Sequence, residues 1–422
     1  MKNGFFNVLS VAEFIDRLRD FSPLPVETAQ GTDIDGRVLA EDVIAPEDLP
    51  LAHRSCMDGY ALRARDVFGA SESNPAYLES VGAVRIETPA GFSISPGECA
   101  SIVTGGILPE GADAVIMVEH TEPLGAGTIE MRKSLAPHDN VMLRGEDASL
   151  GKVALAAGTL IRPQEAGLLA ALGMERVQVH ARPRVGILST GDELVPVSHT
   201  PRVGQVRDVN STTLGCCVRR AGAVPTLYGL VEDDVDSLEA ALRGALEAND
   251  VVLLSGGSSV GTSDLTVAAM QRLEGLKIVN HGVAISPGKP LILGRQGNKA
   301  VWGLPGQVAS AQVVMFVLGA PFLRYLAGET AAFDQSLWPA RRARLGRNIA
   351  SKPGREDYVR VHLRAASGEG AGQKDPACLP VAEPVQGKSG LLKTLILSHG
   401  VIRIPSHSEG VYEGTDVDVL LF

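Results

Sequence analysis

Five short runs between residues 189 and 307 carry the residue types that bind charged small molecules. They are Ser189-Thr190-Gly191-Asp192-Glu193, Glu232-Asp233-Asp234, the stretch Ser255-Gly256-Gly257-Ser258-Ser259-Val260-Gly261-Thr262-Ser263-Asp264, then Ser286-Pro287-Gly288-Lys289-Pro290 and Gly303-Leu304-Pro305-Gly306-Gln307. The glycine-rich stretch is an anion cradle: without side chains the backbone approaches an oxygen closely, and successive N–H groups and serine hydroxyls donate to it. It is neither a Walker loop, since no Gly-Lys-Ser/Thr follows, nor a dinucleotide fingerprint. Residues 257–261 also match Gly-x-Ser-x-Gly, the pattern of a serine nucleophile. Further loop residues follow it, however, and the later His399 and His407 are not placed as a base, so a hydrolase triad is a poor reading. Glu193, Asp233 and Asp264 would repel a polyphosphate unless a hard cation intervened, which points to Mg²⁺. Asp233, Asp234 and Asp264 could equally cap the helices that follow them. Lys289, on a turn flanked by prolines, is a positioned cation, whereas His281 reads as structural.

The runs interrupt segments of alternating strand and helix character. Strands are expected over 184–188, 227–231, 251–254, 291–293 and 300–302. Helices are expected over 211–221, with Asn210 as its cap, and over 237–247, 266–273 and 308–326. Such alternation predicts an α/β domain over 179–327 with a doubly wound parallel sheet, and ligands of such sheets bind at the carboxyl ends of the strands. Upstream, Ser10 and Glu13 form a capping box for a first helix. Short strands over 83–87, 99–103 and 114–119, punctuated by Gly and Pro, indicate a small β domain at 46–140, inserted into a mixed domain formed by 1–45 and 141–178. There Pro163 suits the first turn of a helix and Gly173 its end. Strands over 358–363, 391–397, 401–404 and 416–421 predict a C-terminal β domain, 328–422, of barrel-like character.

The composition narrows the function. Among 422 residues the net charge is −10, which disfavours general nucleic-acid binding; any anion must be held by a few focused donors. The five cysteines (Cys56, Cys99, Cys216, Cys217, Cys378) include no Cys-x-x-Cys pair, so free thiols are expected rather than zinc or disulfides. A membrane span is not expected, and the first residues lack the marks of an export signal, leaving the cytoplasm as the default.

In their order, the runs resemble the molybdopterin molybdenumtransferase family, which includes bacterial MoeA and the E domain of gephyrin. Ser55-Cys56-Met57-Asp58-Gly59-Tyr60-Ala61 is similar to the family's MDGYA segment. Thr104-Gly105-Gly106 with Pro109–Val115 is similar to its TG…PxGADAVV segment, and Gly354-Arg355 and Gly387-Lys388-Ser389-Gly390 are similar to its C-terminal pieces. The resemblance covers nearly the whole chain. It implies an enzyme that inserts molybdate into adenylylated molybdopterin and releases AMP with Mg²⁺, as a homodimer whose cleft is shared between subunits. By motif, Asp58 and Thr104 would enter from the partner side. Glu193, Asp233 and Asp264 would serve the magnesium and phosphate region, with Ser255, Gly256, Gly257, Ser259 and Gly261 as the cradle. Ser286, Lys289, Pro305, Ser310, Arg355 and Ser389 would surround the substrate, Lys289, Ser310, Arg355 and Ser389 holding the molybdate. Two lysines of the family pattern are replaced by Gly282 and Ser286, and its Asn-Pro by Gln307-Val308; Arg295 and His281 are the nearby candidates to compensate. Further partners implied are the adenylyltransferase that makes the substrate and maturation factors of molybdoenzymes. The alternatives are a weakened paralogue serving as pterin carrier or protein-binding scaffold, and a tungstate-preferring insertase.

Overall fold

The computed structural model describes residues 8–256, 262–365 and 379–422, except for the side chains of 262–264. The chain forms two compact units, one of Ala29–Asp35 and Glu41–Val177, the other of Met1–Thr28, Gly36–Ala40 and Gln178–Phe422.

In the smaller unit, alternation of apolar residues builds a six-stranded sheet. Its order is Ala114–Met117, Gly59–Leu62, Glu98–Ile102, Ala76–Ala83, Thr128–Met131 and Thr121–Gly125. Leu62, Cys99, Ile116 and Met131 are its buried core. The strand expected over 83–87 lies earlier, at Ala76–Ala83, because its true partner is Thr128–Met131, a pairing that no local pattern reveals. Pro163 opens the helix Pro163–Ala171, and Gly173 follows it at φ +71°.

The larger unit starts with α1 (Val11–Arg19). Ser10 Oγ accepts from the Glu13 N–H at 3.2 Å, and the Glu13 carboxylate accepts from the Ser10 N–H at 2.8 Å, completing the capping box. The face bearing Val11, Phe14 and Leu18 is buried against the α/β sheet. That sheet comprises β1 (Arg184–Thr190), β2 (Val224–Val231), β3 (Val251–Ser255), β4 (Lys277–His281), β6 (Ile292–Gln296) and β7 (Lys299–Leu304); the short β5 (Ile285–Ser286) belongs elsewhere. Its order is β2-β1-β3-β7-β6-β4. The first four strands are parallel, as expected; β6 runs antiparallel to both its neighbours, β7 and β4. The reason is local: only Gly297 and Asn298 join β6 to β7, Gly297 at φ +60°, and so short a connection makes a hairpin, not a crossover.

Helices α2 (Asn210–Arg220), α3 (Val235–Ala248), α4 (Thr262–Arg272), α5 (Val308–Val314) and α6 (Ala320–Leu326) cover the sheet. Apolar clusters on both faces confirm the doubly wound arrangement. A π-helical turn, Met315–Gly319, joins α5 to α6 in one apolar helix, Val308–Leu326. Its length and hydropathy match a membrane span, but 72% of it is buried within the protein, as in a core helix.

The C-terminal strands β8 (Ala340–Leu345), β9 (Glu356–Arg364), β10 (Val381–Pro384), β11 (Gly400–Ile404) and β12 (Asp416–Leu421) close into a five-stranded barrel, because β9 pairs with both β10 and β11. The strand expected over 391–397 is instead a short helix, α7 (Leu392–Ile396). A brief apolar run does not distinguish the two states, and here Thr394 is the buried residue while Leu391, Ile396 and Leu397 face solvent. β5 joins the barrel alongside β9, Ser286 opposite Asp357.

Trp302 is fully buried between Phe14, edge-on at 5.6 Å, and Phe322 at 5.5 Å. Phe14→Ala removes one wall of this aromatic group. It should lower unfolding stability by about 3–5 kcal/mol in a denaturant titration; a loss under ~1 kcal/mol would show that α1 is not integral to the core.

Candidate active site

The geometry begins with register. Ser189 of β1 lies opposite Ser255 of β3, which lies opposite Leu304 of β7, so three parallel strands end level. Their loops bound a cleft of about 730 Å³, lined by Thr190, Gly191, Glu193, Asp208, Asn210, Asp233, Ser255, Gly256, Gly306 and Gln307, with Gly390 and Leu392 beyond them. Thus Glu193, Asp233, Ser255 and Gly256 converge as the sequence predicts. Pro305 is buried beside Gly306 and does not itself line the cleft. Gly257, Ser259, Gly261 and the side chain of Asp264 lie outside the described residues.

Gly256 requires its residue type. At φ +150°, a Cβ there would stand 2.1 Å from the Thr190 carbonyl oxygen, so only glycine lets the loops after β1 and β3 meet. The paired acids at 233–234 part company. Asp234 accepts from the N–H groups of Asp236 and Ser237 and caps α3, while Asp233 faces the cleft and accepts from the Thr190 hydroxyl at 3.1 Å. Burial pushes the Asp233 carboxyl above its usual range; the Thr190 hydrogen bond opposes this, and the charges of Asp192, Glu193 and Asp234 add to it.

Two residues escaped the sequence reading. Asn210 does not cap α2: Asp208 accepts from the Ser211 N–H at 3.1 Å, and Val209 is the N-cap residue. The Asn210 amide instead donates to Ser255 Oγ at 2.6 Å and to the Gly306 carbonyl at 2.8 Å, tying the loops after β3 and β7 together. Ser189 Oγ donates to Asp208 at 3.1 Å, fixing the start of α2 to β1. The Asp-x-Asn spacing before a helix was visible in sequence but has the form of an ordinary cap.

A second cluster adjoins this cleft across the start of α5. Val308 lines the cleft, and the next N–H, from Ala309, donates to the Ser389 carbonyl at 3.0 Å beside buried Ser310. Ser286 lies opposite Asp357 in the β5–β9 pairing, and Arg355, two residues before Asp357, has its Nε 3.1 Å from Asp357 Oδ1. The Ser286–Gly288 turn is tightly packed, a Cβ on Gly288 meeting Val314 at 2.4 Å, and it presents Lys289 exposed, its ammonium without a hydrogen bond or ion pair among the described residues. Arg295 does not replace the missing lysines: it lies over the Phe21 ring at 4.6 Å and donates to the carbonyls of Asp20 and Gly297. Cys56, Cys99, Cys216 and Cys217 are free thiols, and among the described residues no group of three or more metal-binding side chains occurs.

In the smaller unit, the two motif segments around Asp58 and Thr104 meet directly. Asp58 Oδ1 accepts from the Thr104 N–H at 2.6 Å and from its hydroxyl at 2.8 Å. Gly59 permits this loop, since a Cβ there would lie 1.8 Å from the Ile116 carbonyl oxygen. The backbone bond first, then the hydroxyl bond, holds the Asp58 carboxyl below its usual range. Thr104→Val should therefore raise the Asp58 midpoint only partway to the ordinary value, as read by carboxyl ¹³C titration; no change would mean that the hydroxyl contact is absent in solution.

Known proteins resemble the chain along most of its length. The MoeA N-terminal region (domains I and II) matches residues 9–173, the probable molybdopterin binding domain matches 186–325, and the MoeA C-terminal region (domain IV) matches 342–422. Molybdopterin molybdenumtransferase 2 of Mycobacterium tuberculosis is 32% identical over 419 residues, covering 97% of this chain and 96% of that protein. The molybdopterin molybdenumtransferase of Nostoc sp. is 36% identical over 300 residues, covering 69% and 67%. Two crystal structures of the Pyrococcus horikoshii molybdopterin biosynthesis MoeA protein align over nearly the whole of both chains: one at TM-score 0.80 and 28% identity, covering 99% and 100%, the other at 0.72 and 32%, covering 98% and 99%. With three family regions matched in order over most of its length, the chain belongs to the MoeA family of molybdopterin molybdenumtransferases.

Proposed function

We propose that this enzyme inserts molybdate into adenylylated molybdopterin and releases AMP with the help of Mg²⁺, in the cytoplasm and as a homodimer whose partner supplies Asp58 and Thr104. The observation that carries the reading is the cleft at the level strand ends, where Ser255 and Gly256, which open the glycine-rich run, share the lining with Glu193 and Asp233. Mg²⁺ retains waters and commonly needs only one or two carboxylates together with substrate phosphates. Glu193 and Asp233 fit that mode, since both line one cleft and the Glu193 charge raises the Asp233 carboxyl. Asp264 is the third acid proposed for it. When bound, the ion would neutralise the phosphoanhydride oxygens.

The chain's own groups divide the remaining work. Gly256 and Ser255, with Gly257, Ser259 and Gly261, donate to the phosphate. Lys289, Arg355, Ser310 and Ser389 suit a tetrahedral dianion, for which cations and hydroxyl donors provide charge-assisted hydrogen bonds. Loss of an oxo ligand as water consumes two protons, which Lys289 with the serine hydroxyls would relay.

Purified protein given adenylylated molybdopterin, molybdate and Mg²⁺ should release AMP and yield active cofactor. Tight pterin binding without AMP release would shift the assignment to a carrier. Asp58→Ala and Glu193→Ala should each lower turnover by roughly 100-fold or more without changing Tm; wild-type rates would sink the site assignment. The raised Asp233 titration should move downward on addition of Mg²⁺, because a cation favours the charged carboxylate. A midpoint indifferent to Mg²⁺ would remove Asp233 from the metal site.

A further inference from the structure

Arg360 presents an electrostatic anomaly. It lies on β9 and is only 9% exposed, yet its Nε and Nη1 have no hydrogen-bond partner. Nη2 makes one long bond, 3.3 Å, to the Gly387 carbonyl. No ion pair involving Arg360 occurs among the described residues, and the acids near it on β9 are already engaged. Arg403 forks Glu356 with two bonds of 2.9 Å, and Ser351 and Arg355 hold Asp357. Burial lowers the affinity of the guanidinium for its proton without making the group neutral. An uncompensated buried cation is unfavourable, and one retained in a fold calls for an anion.

The position of Arg360 indicates which anion. Alternation along β9 puts it on the same face as Tyr358, which packs into the core shared with the α/β sheet, rather than on the barrel-interior face of Val361. Its one bond goes to Gly387, two residues before Ser389, whose carbonyl is fixed to the start of α5 beside Ser310. Arg355 begins the approach to the same strand, and Ser286 pairs opposite Asp357. The unpaired guanidinium therefore stands behind the loop that carries Ser389, next to the second cluster.

Building on the insertase reading, we propose that Arg360 is a further binding residue for the tetrahedral metal oxyanion, supplying the buried positive charge behind the Gly387–Gly390 loop. The long Gly387 bond is a weak latch, and its release turns the guanidinium toward an anion seated against Ser389 and Arg355.

Binding of molybdate, tungstate, sulfate and phosphate to the full-length protein, followed by thermal shift and calorimetry, tests this directly. Wild-type protein should be stabilised by molybdate and tungstate. Arg360→Met should match or exceed the wild-type Tm without anion, because it removes an unpaired buried charge, and should bind molybdate roughly ten-fold or more weakly. Arg360→Lys, which keeps the charge, should fall between the two and serves as the second variant if methionine impairs folding. Molybdate affinity within two-fold of wild type in Arg360→Met would overturn the proposal. So would a wild-type protein that none of the anions stabilises, or an Arg360 dependence seen with phosphate and not molybdate. Bare-oxyanion binding is read without pterin or AMP, so failure of AMP release in the earlier assay would count against the insertase reading alone.

Discussion

The structure depends on one alignment: three parallel strands reach the same height and stop. Ser189, Ser255 and Leu304 lie side by side, and the loops bearing Gly191–Glu193, Gly256 and Gly306 start from that line. Parallel strands shifted by one residue would exchange inward and outward faces, so the register is fixed by the buried runs on both faces of the sheet. Trp302, in β7, sets it on one face, where Phe14 and Phe322 enclose its ring. The chemistry at the edge thus inherits its precision from apolar packing well beneath it.

Upon that line, small residues and short polar contacts complete the arrangement. Gly256 lets two loops approach to a distance that any side chain would forbid. Asn210 ties the Ser255 hydroxyl to the Gly306 backbone, and Asp208 frees it for that task by accepting from the Ser211 N–H at the start of α2. The acids divide in the same way: Asp234 holds a helix and Asp233 faces the ligand space. Adjacent residues of identical chemistry acquire opposite roles because backbone direction separates their side chains.

Much of this was legible in the sequence, for definite reasons. The strand–helix alternation is a repeated pattern over many residues, and loops at strand ends follow from it. Cap assignments were less secure, since Asp208 and Asn210 are both good caps and only the three-dimensional position of Gly306 shows which is otherwise engaged. The antiparallel edge was encoded in the two residues between β6 and β7, a length incompatible with a crossover. The helix at Leu392–Ile396 and the displaced strand at Ala76–Ala83 depended on distant partners, which local periodicity does not contain. Arg360 was invisible for the same reason: an arginine in an alternating strand reads as solvent-facing until its neighbours are known.

The closed barrel has a consequence for biosynthesis. Ala340 of β8 pairs with Leu420 of β12, so the strand that opens the barrel waits for the one that completes it. During translation the α/β sheet can assemble once α6 has left the ribosome, before β8 has a partner and with only the short β5 beside β9. β10 then covers β9 from Val361 to Arg364 and β11 covers it from Asp357 to Val361, so its open edges are closed in two steps. The charges of Glu356, Asp357 and Arg360 on β9 make those edges less adhesive to other nascent chains until β11 arrives.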